Sequence, residues 1–291
     1  MEFMQPATWP EALAMKADHP DALPIAGGTD VMVETNLTRK RPSAFLDLTR
    51  IGELAEWREE AGLLRIGAGV TYTRLIHELG DRLPGLSMAS RTVGSPQIRN
   101  RGTVGGNLGT ASPAGDAHPV LLATDAQVEL ESTAGRRRVA AREFFVGPKR
   151  NAMRQDELIA AFLVEPARGP QQFSKVGSRN AMVIAVCAFA LALDEVRRTV
   201  GTGIGSAGPT PIRATEAEAF LEGVLNEQQL WEERKEVNYS AVTRFAELVA
   251  AAAQPIDDVR GTADYRRHAL AVLARRSFTW AWDEYRSRGR A

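Results

Sequence analysis

Residues Arg101 to Asp116, RGTVGGNLGTASPAGD, hold five glycines, two threonines, a serine, an asparagine and a single proline before the closing aspartate. So much bare backbone exceeds what a turn needs. A run this poor in side chains either turns sharply or presses its backbone against something, because no Cβ keeps a neighbour away. A second run of the same kind, AGGTD (Ala26, Gly27, Gly28, Thr29, Asp30), follows the short apolar stretch ALPI. Consecutive N–H groups in glycine turns form concave nests for anions. Thr29, Thr103, Asn107, Thr110 and Ser112 add neutral hydrogen-bonding groups. Two such loops would hold the phosphates of a dinucleotide from both sides, and Asp116 would accept from sugar-like hydroxyls. Two ordinary glycine turns are the plain alternative. Neither run carries the lysine of a Walker loop, so triphosphate hydrolysis is not expected.

A third glycine run is a decoy. GIGSAG (Gly203–Gly208) satisfies the dinucleotide fingerprint formally, but that fingerprint requires a helix to open at the loop. Pro209 and Pro211 follow at once, where a helix would need its amides. A strand ending in a glycine turn is the better reading.

The chain of 291 residues is long enough for two domains or one large one. Lys plus Arg balance Asp plus Glu at 36 each, which argues against nucleic acid or an anionic membrane as the main partner. Arg136–Arg138 beside a predicted turn read as a solvated hairpin end. The N-terminus lacks a basic start and an apolar stretch, so no secretion signal is expected, the apolar run VIAVCAFALAL is too short for a membrane span, and the cytoplasm is the default compartment. One cysteine, Cys187, leaves no disulfide, iron–sulfur cluster or cysteine-based zinc site to be built from this chain. Within VIAVCAFALAL it reads as buried packing.

Along the chain, Thr8 with Glu11 predicts a capped helix. ALPI and AFLDLTRI read as strands, with an apolar segment of undecided type after AGGTD. LLRIGAGVTYTRLIHEL gives a strand, a break at Gly67–Gly69 and a helix capped at Thr71 or Thr73. QVELESTAGRRRV reads as a hairpin turning at TAGR. Proline and glycine cluster at Glu165–Gln172, marking a boundary. Beyond it come two strands and then helices, one of them opened by a Thr215–Glu218 capping box and closed by Gly223. Strands and helices in separate blocks suggest α+β rather than a doubly wound parallel sheet.

Reactive side chains are sparse. His19, His77, His118 and His268 have no metal-ligand spacing, and His118 near Asp116 reads as a loop histidine beside a cofactor. No Ser–His–Asp set can be assembled. Trp231, Trp280 and Trp282 read as packing or interface residues. With no catalytic side chain assigned, a bound cofactor must carry any chemistry.

AGGTDV, GVTYTRL, IRNRGTVGGNLGTASPAGD, AGPTPIRATEAEAFLEG and PIDDVRGTADYRRH, in that order, resemble the FAD-binding medium subunit of the molybdenum hydroxylases. That family includes the flavoproteins of carbon monoxide dehydrogenase, bacterial xanthine dehydrogenase and 4-hydroxybenzoyl-CoA reductase. The resemblance implies an α+β chain. Residues 1–170 would form an FAD-binding domain of the vanillyl-alcohol-oxidase (PCMH) type, with two α/β subdomains at about 1–57 and 58–170. Residues 171–291 would form a C-terminal α+β domain with a small sheet and helices. It implies that Ala26 to Asp30 and Thr103 to Asn107, including Gly105 and Gly106, hold the FAD diphosphate through their amides. Thr110, Ser112 and Asp116 would line the ribityl and diphosphate side, Ile159 would lie by the isoalloxazine ring, and Lys175 near the flavin. It implies partners: a molybdopterin-binding large subunit and a small subunit carrying 2Fe-2S clusters, with NAD one candidate acceptor. With Cys187 alone, the cysteine-rich loop of the 4-hydroxybenzoyl-CoA reductase subunit is absent. Two rival readings are a stand-alone FAD-dependent oxidoreductase with its own small substrate and a structural subunit that has lost FAD.

Overall fold

The computed structural model describes residues 2–37 and 41–288. In chain order its elements are β1 (Glu2–Met4), α1 (Trp9–Asp18), β2 (Leu23–Ile25), α2 (Val31–Asn36), β3 (Ala44–Asp47), β4 (Trp57–Glu60), β5 (Leu63–Gly67), α3 (Tyr72–Glu78), α4 (Pro84–Thr92), α5 (Pro96–Arg101), α6 (Val104–Thr110) and α7 (Ala117–Ala123). There follow β6 (Gln127–Ser132), β7 (Gly135–Ala140), α8 (Ala141–Phe144), β8 (Phe145–Gly147), β9 (Arg150–Asn151), β10 (Leu158–Val164), β11 (Gln171–Val176), β12 (Cys187–Asp194), β13 (Thr199–Gly205), α9 (Thr215–Glu227), α10 (Leu230–Glu233), α11 (Tyr239–Ala252) and α12 (Ala263–Arg288). The chain folds as two compact units. One comprises Met1–Glu78, Gly94–Ser112 and Ala126–Glu165; the other comprises Leu79–Val93, Pro113–Asp125 and Pro166–Ala291.

In the first unit, β1, β3 and β2 form a parallel sheet in that order, and β4-β5-β10-β6-β7 form an antiparallel one. Parallel neighbours need crossovers, and α1 and α2 supply them. Thr8 caps α1, its hydroxyl accepting from the Glu11 amide at 3.4 Å, while the Glu11 carboxylate accepts from the Ala7 amide at 2.7 Å. The segment after AGGTD is helix α2. Met4, Trp9, Leu13, Leu46 and Leu158 share one buried core. Strand β10, LIAAFLV, is buried along its whole length because it is central in its sheet.

The hairpin β6–β7 turns where expected, but its arginines are not simply solvated. Arg136 and Arg138 approach the fully buried Glu129, and Arg137 pairs with Glu157 at 2.6 Å. Alternating charge across a hairpin lets opposed strands pair ions, which a reading of the turn alone misses.

In the second unit, β11-β12-β13 form an antiparallel sheet with α9, α11 and α12 packed on the same core. Phe245 lies against Phe278 at 5.8 Å between ring centres, and Trp231 meets Trp282 edge-on at 5.3 Å. Trp280 is half exposed. GIGSAG ends strand β13, and no helix opens there. Thr215 does not cap α9 but is its first residue. Glu218 is turned inward, where it accepts from the Thr202 amide and hydroxyl at 2.8 and 2.7 Å and from Arg213. Those buried donors outcompete a capping box, and α9 runs on through Gly223 to Glu227.

Cys187 is fully buried on β12, and burial pushes its thiol up to about 12. The thiolate is the reactive form. Native protein at pH 8 is therefore expected to resist iodoacetamide, and denatured protein to take up one label; mass spectrometry reads both.

Candidate cofactor site

The opening glycine run is a helix, not a turn. Glycine is a poor helix former, costing about 1 kcal/mol against alanine, so α6 draws its stability from elsewhere. Thr103 caps it, its Oγ1 accepting from the Gly106 amide at 2.8 Å. Val104 and Leu108, four apart, are buried on one side. Gly105 lies against the turn after β5, where a Cβ would come within 2.5 Å of the Ala68 carbonyl oxygen. Gly106 and Gly109 open on to a cavity instead.

The facing wall is AGGTD. A Cβ at Gly27 would come within 2.0 Å of the Arg101 carbonyl oxygen, so only glycine lets the two runs touch backbone to backbone. Gly28 takes a positive φ of 73°, which turns the chain into α2. Among the described residues, the amides of Gly27, Gly28 and Thr29 donate no hydrogen bond.

Between the walls lies a cavity of about 320 Å³, within the size range of ligand pockets. Leu48, Ile51, Leu54, Met153, Leu158 and Ile159 supply apolar lining, and Asp30, Glu34 and Arg101 supply charge. Of the residues named from sequence, Ala26, Gly27, Asp30, Thr103, Gly105, Gly106, Thr110 and Ile159 line it. Gly28, Thr29 and Asn107 belong to the same turn and helix without lining it, and Ser112 lies beyond the end of α6. Asp116 and Lys175 belong to the second unit. There they form a buried ion pair at 2.6 Å, and Thr92 Oγ1 donates to the same carboxylate oxygen at 3.0 Å. Burial raises the Asp116 carboxyl above its ordinary range, with Lys175 and Thr92 opposing. His118 is not a loop histidine: it is fully buried in α7, whose residues are buried throughout.

The reading from sequence missed Glu34, Met153 and the apolar residues before and within the turn at Gly52–Ala55. Glu34 was discoverable, since it lies one helical turn beyond Asp30 on the same face.

Residues 1–165 match the FAD binding domain in molybdopterin dehydrogenase, and residues 172–281 match the CO dehydrogenase flavoprotein C-terminal domain. The chain belongs to the FAD-binding medium subunits of the molybdenum hydroxylases. The nicotine 6-hydroxylase medium subunit of Paenarthrobacter nicotinovorans is 30% identical over 97% of each chain. The nicotinate dehydrogenase FAD-subunit of Eubacterium barkeri is 34% identical over 76% of this chain and 79% of its own. A chain of reconstituted CO dehydrogenase from Oligotropha carboxidovorans superposes with a TM-score of 0.89 at 28% identity, covering 98% of each chain. As a member of this family the chain is an oxidoreductase subunit whose cofactor is FAD. No helix among the described residues is long and apolar enough to cross a membrane.

Proposed function

We propose that this chain holds FAD between its two glycine walls and relays electrons, in the cytoplasm, within a larger enzyme. They would arrive from 2Fe-2S clusters on a small subunit, after substrate oxidation on a molybdopterin-binding large subunit, and leave to NAD or another acceptor. The observation that carries the reading is the pair of bare backbone walls around one cavity. The residues present fit the cofactor. The amides of Gly27, Gly28 and Thr29 remain for phosphate oxygens, and Gly106 and Gly109 let those oxygens approach α6 without a Cβ in the way. Thr110 would meet the ribityl hydroxyls. Ile159, with Leu48 and Leu54, would face a flat apolar ring and keep water from it.

FAD, when bound, supplies the redox chemistry that the lining side chains lack. Asp30, Glu34 and Arg101 are the charged residues of that lining. The chain's task is then to bind, orient and shield, which leaves the substrate to be chosen on another subunit.

Purification of the native complex tests this. A yellow chain with a molybdopterin subunit and an iron–sulfur subunit in equal amounts is the expected result. A yellow monomer that oxidises a small substrate unaided would replace it with the stand-alone flavoenzyme reading.

A further inference from the structure

We propose that the β8–β9 turn is a strap that fixes the width of the FAD cavity, with Lys149 as its positioning residue. The proposal rests on reading the two glycine walls as the cofactor cradle. At one end those walls meet directly, where Gly27 packs on the Arg101 carbonyl. At the other end the strap joins them. Its Lys149 amide donates to the Ala111 carbonyl at 3.1 Å, and Asn151 Nδ2 donates to the Gly109 carbonyl at 3.1 Å, both at the C-terminal end of α6. The Lys149 ammonium pairs with Glu34, on the α2 wall. The strap is itself anchored, because the Ala152 amide donates to the Phe144 carbonyl at 2.9 Å and Phe144 is fully buried.

Glu34 lines the cavity with its side chain only 8% exposed, while Lys149 is half exposed. The ammonium therefore does two things. It ties α2 to the strap, and it sets a positive charge against a carboxylate that lines the cavity. Lys149 does not itself line the cavity; it touches Glu34, which does, and the carbonyl at the end of α6, so it acts through them.

The test is titration of FAD into the deflavinated full-length chain, followed by flavin fluorescence. Lys149→Met is expected to raise Kd about tenfold, while the FAD-free chain stays folded and unfolds only a few degrees earlier, because Lys149 is half exposed and water replaces part of the lost pair. Lys149→Arg should keep wild-type affinity. The exchange of Glu34→Lys with Lys149→Glu should recover affinity that Lys149→Glu alone loses. Wild-type affinity in Lys149→Met overturns the strap, as does a loss that vanishes once only the folded fraction of the FAD-free chain is counted. Gly106→Val probes the cradle separately. Normal FAD affinity there overturns the cradle and the strap with it. Lost affinity there beside an unaffected Lys149→Met removes the strap and leaves the cradle standing.

Discussion

Gly106→Val is expected to give a folded, colourless chain. A Cβ built at Gly106 meets one atom, Thr103 Oγ1 at 3.2 Å, and is otherwise open. A shift of a few tenths of an ångström accommodates it, and valine forms helix better than glycine does. The two methyl groups must then occupy the cavity that Gly106 lines. On the proposed reading that space belongs to the FAD diphosphate, so affinity should fall about a hundredfold or more, equivalent to roughly 2.7 kcal/mol. The ratio of flavin to protein absorbance measures the loss, and circular dichroism with thermal unfolding verifies the fold. Retained yellow colour would refute the assignment of α6 to the diphosphate.

Gly106 serves this purpose because its neighbours would not. Gly27 and Gly105 press on backbone carbonyls, where a Cβ would come within 2.0 and 2.5 Å of oxygen. Substitution there displaces main chain, and lost FAD would follow from lost fold. All three glycines line the cavity, but two of them also press on backbone carbonyls and only Gly106 has room for a side chain.

That division is only half legible in the sequence. Bare backbone is visible as composition, so AGGTD and TVGGN stand out as candidate walls on their residue types, with two ordinary glycine turns as the alternative. The helical state of α6 is not visible there, because its glycines argue against a helix while its support is tertiary: a threonine cap, two buried side chains and the Ala68 turn. Glu218 misleads in the same way. Its spacing from Thr215 fits a capping box, yet Thr202 and Arg213 claim its carboxylate from inside the core. Asp116 is named from its place in the glycine run and Lys175 by resemblance, but their pairing across 59 positions lies in the fold alone. Period-two and period-3.6 patterns identify the long elements. Short ones such as β8 and β9 carry too few residues for a period, so the Lys149 strap has no signal in the sequence.

The arginines beside the β6–β7 turn lead to the second large expected effect. Glu129 has a fully buried carboxylate that receives Arg65 from β5 at 2.7 Å, with Arg138 at 3.3 Å and Arg136 at 3.4 Å from β7. Arg65 is itself only 9% exposed in its side chain and reaches across β10 to make the bond. Glu129→Ala would leave that guanidinium buried without its carboxylate, a class of change that costs about 3–5 kcal/mol. The unfolding temperature of the FAD-free chain should fall by on the order of 10 °C. Glu60 provides the control, because it approaches the same Arg138 at 3.6 Å but is 42% exposed. Glu60→Ala should cost less than about 1 kcal/mol, since water replaces the lost partner of an exposed pair. If the two variants unfold at the same temperature, burial of Glu129 is not what gives the arginine cluster its weight. If only Glu129→Ala unfolds early, Arg65, Arg136 and Arg138 are structural ligands of one carboxylate, and Arg136 and Arg138 are more than a solvated hairpin end.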